Sequence, residues 1–288
     1  MSINNILVIG AGTMGRQIAM SCALSGFSTI LQDISDSTLR AARTELENWA
    51  AGRISKGKLR AEDVELALSR LTQSTELATS AARSDLVIEA ATERLDIKRA
   101  IFAELGEHAP AHAILATNSS TLASSHVAEA SGRAAQVCNM HFFNPALVMK
   151  CVEIVRNAQT SDATIATVTE VARALGKEPV LVNKEVPGFI ANRMMGAIQQ
   201  EALDLASKGV ASIEDIDTTA RTALGHPMGP FELMDLVGLD VIDFIAQATY
   251  AETGEPSDQP HPMITEKVGE GKLGRKSGQG FYLYDQEK

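Results

Sequence analysis

Over the first 180 or so residues, short apolar runs alternate with longer amphipathic stretches. Residues 6–9 are apolar throughout, the pattern of a strand buried on both faces, and Gly10 ends them. Residues 13–25 carry helical spacing and stop at Gly26; residues 29–31 form the next strand, which closes on Asp33. A helical region over about 36–71 is broken near Gly52 and Gly57, which predicts two helices and a turn. Further strands are predicted at 86–88, 114–115, 136–140, 152–155 and 180–182, with helices over 94–105 and 164–175. Such alternation predicts parallel β-α-β units, hence an α/β, doubly wound, mostly parallel sheet with helices on both faces.

From Pro187 onward the periodicity is almost entirely helical, over 189–207, 213–224 and 239–250. Pro227 and Pro230 read as punctuation, and a polar, Pro-rich stretch (252–262) precedes a Gly-rich tail. Asn183-Lys184-Glu185 interrupts an apolar strand just before Pro187, so the predicted division is residues 1–184, α/β, and 185–288, all-helical.

Composition narrows the classes. The chain carries 26 Lys and Arg against 36 Asp and Glu, a net charge of −10, so no nucleic-acid or anionic-membrane partner is expected. With 45% apolar and 22% charged residues it is an ordinary globular chain. No apolar run approaches the roughly 20 residues of a membrane span. Cys22, Cys138 and Cys151 are odd in number and widely spaced, which fits a reducing cytoplasm and supplies no metal framework. The amino terminus lacks the features of an export or import leader, so a cytoplasmic location is expected.

Gly10-Ala11-Gly12-Thr13-Met14-Gly15 is a GxGxxG turn placed after a strand and opening a helix. Gly10 allows the tight turn, Gly12 lets backbone approach a pyrophosphate, and Gly15 allows close helix–strand packing. Asp33 ends the next strand, 18 residues beyond Gly15, where a carboxylate would accept the ribose hydroxyls of NAD and repel a 2′-phosphate. No cation follows until Arg40, so NAD is favoured over NADP and a Rossmann-like domain is expected. A solvated strand-end turn is the plainer reading of Asp33.

A nicotinamide enzyme that oxidises an alcohol needs a base near the carbinol proton, and histidine suits the task. His108, His112 and His126 lie in polar surroundings, and His226 and His261 each precede proline. His141 differs: it follows a predicted strand and opens His-Phe-Phe-Asn-Pro in a chain only 4% aromatic. A structural role in the core is its alternative. Glu153 lies within an apolar strand, where a carboxylate is costly to bury unless paired, and a histidine on the neighbouring strand would be its partner. An edge-strand Glu facing water is the other reading. Asn118-Ser119-Ser120 also follows a strand, as substrate ligands or as a helix cap, and Asn192 opens the helical region, as a ligand or a solvent-facing residue. Residues 53–60 carry four cations and no acid, either a solvated turn or a dock for a polyanion such as coenzyme A phosphates.

Taken together, GAGTMG, Asp33, Glu89-Ala-Ala-Thr-Glu93, Asn118-Ser119-Ser120, HFFNP, Glu153, PGFIANR and HPMGPFEL resemble the 3-hydroxyacyl-CoA dehydrogenase family, in its short, stand-alone bacterial 3-hydroxybutyryl-CoA form. The resemblance spans about residues 5–284, and no hydratase-like region precedes the first strand. It implies NAD-dependent, reversible oxidation of an (S)-3-hydroxyacyl-CoA. His141 would be the general base, with Glu153 as its partner. Ser120 and Asn192 would hydrogen-bond the substrate oxygen and help place the thioester. Glu93, Lys98, Asn144 and Lys276 would further hold the cofactor, and Lys56 would contact coenzyme A. A homodimer through the helical domain is implied too. The chain departs from many relatives in Thr121, expected to be tolerated, and in Trp49, where a small hydroxyl residue can contact coenzyme A. Two other readings remain at this stage: a sibling dehydrogenase of a sugar acid or carnitine, and a non-catalytic NAD-binding structural protein.

Overall fold

Eight strands form one sheet in the computed structural model, which describes residues 2–284. In chain order they are β1 (Asn5–Ile9), β2 (Ser28–Gln32), β3 (Leu71–Ser74), β4 (Leu86–Glu89), β5 (Ile114–Thr117), β6 (Val137–Phe142), β7 (Cys151–Arg156) and β8 (Glu178–Val182). They lie side by side as β3-β2-β1-β4-β5-β6-β7-β8. All neighbours are parallel except β6 and β7, which run antiparallel. The helices α1 (Thr13–Leu24), α2 (Asp36–Ser55), α3 (Ala61–Arg70), α4 (Leu77–Ala81), α5 (Leu95–His108), α6 (Ser125–Ala128) and α7 (Asp162–Ala174) connect them.

Both faces of the sheet are covered, which is why its central strands are apolar without interruption. Ile6, Val8, Leu86, Ile88 and Ala116 pack to one side with α1, α2, α3 and α7. Leu7, Ile9, Val87 and Leu115 pack to the other with Phe102 and Leu105 of α5. Because β1 sits between β2 and β4, the winding reverses there. The carboxyl ends of β1 and β4 therefore flank the crevice in which doubly wound sheets bind ligands.

The chain divides into two compact units, one ending at Ile190 and one beginning at Ala191. The second contains α8 (Ala191–Ser207), α9 (Ile213–Thr222), α10 (Pro230–Val237), α11 (Leu239–Thr253) and α12 (Pro262–Gly269). They pack around Ala202, Leu203, Phe231, Met234, Leu239 and Ile264. Its tail is tied down by Asp235, whose carboxylate accepts from the N–H of Phe281 and Tyr282 and from the Tyr284 hydroxyl, all at 2.9 Å.

Several elements differ from the pattern reading. The edge strand β3 is Leu-Thr-Gln-Ser, too polar to register as a strand; its backbone pairing to β2 creates it. Helix α2 runs through Gly52 to Ser55, and the chain turns instead at Gly57, where φ is +63°. Pro230 and Pro262 start helices: each occupies a first-turn position, where its missing N–H costs nothing. His141 lies inside β6 and not after it. Helix α8 begins at Ala191, because Phe189 holds a left-handed φ of +48° and cannot continue a helix.

Candidate active site

The glycine turn is shaped by close backbone approach. Gly10 holds a φ of +93°, and a Cβ there would stand 2.6 Å from the carbonyl oxygen of Ala90, just past β4. A Cβ on Gly15 would meet the carbonyl oxygen of Gly10. At Gly12, by contrast, a Cβ would meet nothing within 4 Å. Gly12 is also the N-cap of α1, so open space lies where the helix presents its free N–H groups and partial positive charge. Asp33 stands beside this turn: its Oδ2 accepts the Ala11 N–H and its Oδ1 the Ser35 N–H, both at 2.9 Å. Each oxygen retains a lone pair for a ribose hydroxyl. The residues present therefore fit a dinucleotide. Gly12→Val is expected to leave the melting temperature within about 2 °C and to weaken NADH binding at least tenfold, measured by nicotinamide fluorescence.

The histidine and glutamate meet. In the antiparallel β6–β7 pair His141 lies directly opposite Glu153, so both side chains leave the same face of the sheet. His141 Nδ1 is 2.8 Å from Glu153 Oε2. An ionised carboxylate only accepts, so the proton sits on Nδ1 and Nε2 keeps its lone pair. The pair is buried, His141 being 5% and Glu153 1% exposed. Glu153 Oε1 accepts the N–H of Ile190 at 3.0 Å. The rings of Phe143 and Phe189 stand edge-on to the imidazole, at centroid distances of 4.6 and 5.5 Å. One ring nitrogen is held by the acid, and the ring itself is held by apolar walls.

A second buried pair lies beside the turn. Glu89 ends β4 and Lys98 is on α5; the Lys98 ammonium donates to Glu89 Oε1 and Oε2 at 2.8 and 2.9 Å. Thr117 Oγ1 donates to Glu89 Oε2 at 2.7 Å and the Ala91 N–H to Oε1 at 2.7 Å. Lys98 also lies 3.2 Å from Glu93. Burial pushes the Glu93 carboxyl up. Hydrogen bonds from the Ser119 and Thr121 hydroxyls, and the Lys98 ammonium, outweigh that and hold it below the usual carboxylate range. Thr121 thus has a defined function here: its hydroxyl donates to Glu93 Oε1 at 2.6 Å.

The remaining residues are placed as follows. Ser120 is partly buried in the loop after β5, and its hydroxyl takes no partner among the described residues. Asn144 is exposed, just past β6, and Lys56 is exposed at the end of α2. Asn192 and Lys276 belong to the second unit, Asn192 in the first turn of α8 and Lys276 beside Asp240 at 2.5 Å. Glu89, Phe189 and the Ile190 N–H stand within motifs the sequence offered, Glu89-Ala-Ala-Thr-Glu93 and PGFIANR, but carried no assigned role there. Of these only Glu89 left a signal, as an acid closing an otherwise apolar strand with a lysine nine residues on.

Two family models match the chain. The NAD-binding domain of 3-hydroxyacyl-CoA dehydrogenase covers residues 5–186, and the C-terminal domain of the same enzyme covers residues 188–284. The chain belongs to the 3-hydroxyacyl-CoA dehydrogenase family. It is an NAD-dependent oxidoreductase of that family, with NAD bound by the first unit. The human mitochondrial hydroxyacyl-coenzyme A dehydrogenase is 39% identical over 289 residues, covering 98% of this chain and 91% of that protein. The crystal structure of the (S)-3-hydroxybutyryl-CoA dehydrogenase PaaH1 from Ralstonia eutropha superposes with a TM-score of 0.93 at 38% identity, covering 99% of this chain and 100% of that one. FadB2 of M. tuberculosis gives a TM-score of 0.91 at 36% identity, covering 99% and 100%. Animal and bacterial members are thus similarly close in sequence. Among the described residues, no helix of this family member is long and apolar enough to cross a membrane.

Proposed function

We propose that this dehydrogenase interconverts short-chain (S)-3-hydroxyacyl-CoA and 3-ketoacyl-CoA thioesters, 3-hydroxybutyryl-CoA foremost, through the His141–Glu153 pair. The observation that carries the reading is the 2.8 Å contact of His141 Nδ1 with a buried carboxylate, which leaves Nε2 as the free base. In oxidation, Nε2 takes the proton of the 3-hydroxyl group. The carbonyl forms as the C–H electron pair departs as hydride, for which bound NAD is the acceptor. The proton left on the imidazole is stabilised by the Glu153 carboxylate, which faces His141 Nδ1 through Oε2 and accepts the Ile190 N–H through Oε1. In reduction the imidazolium returns that proton to the oxygen. Ser120, with an uncommitted hydroxyl, and Asn192 are the proposed donors to the substrate oxygen. Glu93, Lys98, Asn144 and Lys276 are the proposed further contacts to the cofactor.

The coenzyme A handle is assigned to the basic end of α2. A cleft of about 410 Å³ there is lined by Trp49, Arg53, Lys58, Leu147 and Lys150, close in sequence to Lys56. The Arg53 guanidinium lies 5.6 Å from the Trp49 ring centre. Four cations around one cleft (Arg53, Lys58, Lys150 and Lys177) in an acidic chain suit the phosphates of coenzyme A. We assign residues 1–184 to the cofactor and residues 185–288 to the substrate and to a homodimer contact. The dimer is supported by exposed Val241, Phe244 and Ile245, one stripe of α11, with Phe244 72% exposed. Unpaired Cys22, Cys138 and Cys151 accord with a reducing, cytoplasmic setting, and the match to PaaH1 supports the bacterial 3-hydroxybutyryl-CoA type.

Following NADH absorbance with acetoacetyl-CoA, free acetoacetate, dehydrocarnitine and dehydro-L-gulonate tests the proposal. Turnover with the thioester alone is expected. Turnover with a free acid but not the thioester would replace it with a sibling activity, and silence with all four would point to a structural protein.

A further inference from the structure

The loop that carries Ser120 is gripped by a buried side chain outside the His141–Glu153 pair. Asn139 lies on β6, opposite Thr117 of β5 and two residues before His141, so it and His141 leave the strand on the same face. Its side chain is fully buried. Its Oδ1 accepts the Ser124 N–H at 2.8 Å; its Nδ2 donates to the carbonyls of Ser119 at 3.2 Å and Leu122 at 3.5 Å. One amide thus spans both ends of the segment that contains Ser120.

Other bonds finish the frame. Asn118 Oδ1 accepts the Phe142 N–H at 2.9 Å, the Ser119 N–H donates to Thr117 Oγ1 at 3.2 Å, and the Leu122 N–H donates to Ser119 Oγ at 2.8 Å. The Ser119 and Thr121 hydroxyls both go to Glu93. Residues 118, 119, 121, 122 and 124 are therefore all engaged, while the Ser120 hydroxyl has no partner among the described residues. A buried amide in an apolar strand is costly unless each of its groups is used, and here each is.

We propose that Asn139 is a positioning residue for the reaction: it fixes the 118–124 loop to the strand that bears His141, so that the Ser120 hydroxyl and the imidazole meet the same substrate oxygen. This rests on the reading of Ser120 as a substrate contact. The gain is geometric, because a displacement of about 1 Å in such a group can cost up to about a hundredfold in rate.

The test is a double-mutant cycle with Ser120→Ala and Asn139→Ala in the full chain, using acetoacetyl-CoA and NADH. Each single variant is expected to lose about tenfold in kcat/KM, and the double variant to be no slower than Ser120→Ala alone. The Kd for NADH is expected to stay within twofold of wild type. Asn139→Asp, which keeps the acceptor for Ser124, serves in the same cycle if Asn139→Ala does not fold. Losses that multiply, or an Asn139 variant with wild-type kcat/KM beside an impaired Ser120→Ala, would overturn the role of Asn139. A Ser120→Ala enzyme at the wild-type rate would instead remove the reading of Ser120 on which it rests.

Discussion

His141→Gln is expected to lower kcat for acetoacetyl-CoA reduction by a factor of about 10²–10⁴, the usual share of a positioned acid–base group. The Kd for NADH should stay within about twofold. Glutamine fills similar space and can still donate to Glu153, so the walls of Phe143 and Phe189 have no reason to move. What is lost is a group that holds a proton at one moment and releases it at the next. The glycine turn and Asp33, the proposed cofactor contacts, lie just past β1 and β2 and at the start of α1 and are untouched. Stopped-flow absorbance gives the rate and fluorescence titration gives the Kd. A near-normal rate would eliminate the assigned base.

The second large effect concerns stability. Glu89→Ala is expected to destabilise the first unit by about 3–5 kcal/mol, the usual cost of taking one partner from a buried ion pair. Lys98 is only 1% exposed, and removing Glu89 leaves its ammonium with the part-exposed Glu93 at 3.2 Å in place of two buried oxygens, and strands the Thr117 hydroxyl and the Ala91 N–H. For a unit of this size the melting temperature should fall by roughly 10 °C. Replacing both partners, as Glu89→Met with Lys98→Met, should recover a good part of that loss, since no lone charge remains. Calorimetry on the three proteins decides it. A single variant as stable as wild type would show that the pair carries no desolvation burden.

The sequence made the sheet legible because strands buried on both faces are apolar without gaps, as in Ile6–Ile9 of β1. It failed at β3, where an edge strand of Leu-Thr-Gln-Ser is held by backbone pairing that side-chain pattern does not encode. It failed again at Pro230 and Pro262, because proline ends one element and begins another with equal ease. His141 and Glu153 could be named from residue type, but their pairing depended on register. A shift of one residue between β6 and β7 would have sent the two side chains to opposite faces. The Ile190 N–H on Glu153 was out of reach altogether, since it is set by a left-handed turn at Phe189, a residue type that rarely adopts one. Asn139 was equally hidden: an asparagine inside an apolar strand announces a hydrogen-bonded partner without saying which loop supplies it.

The cofactor turn shows how a motif gains meaning from its surroundings. Gly10 and Gly15 are required by contacts with Ala90 and with each other, whereas Gly12 is required by nothing in the protein. The open space beside Gly12 fits the close backbone approach proposed for the dinucleotide.

The most direct measurement is a double-mutant cycle on His141→Gln and Glu153→Gln, scored by kcat with acetoacetyl-CoA and NADH. If the carboxylate acts through the imidazole, the double variant turns over no more slowly than His141→Gln alone, because Glu153 has nothing left to orient. If the two losses multiply instead, Glu153 acts on the reaction independently, and the pair as described here is wrong.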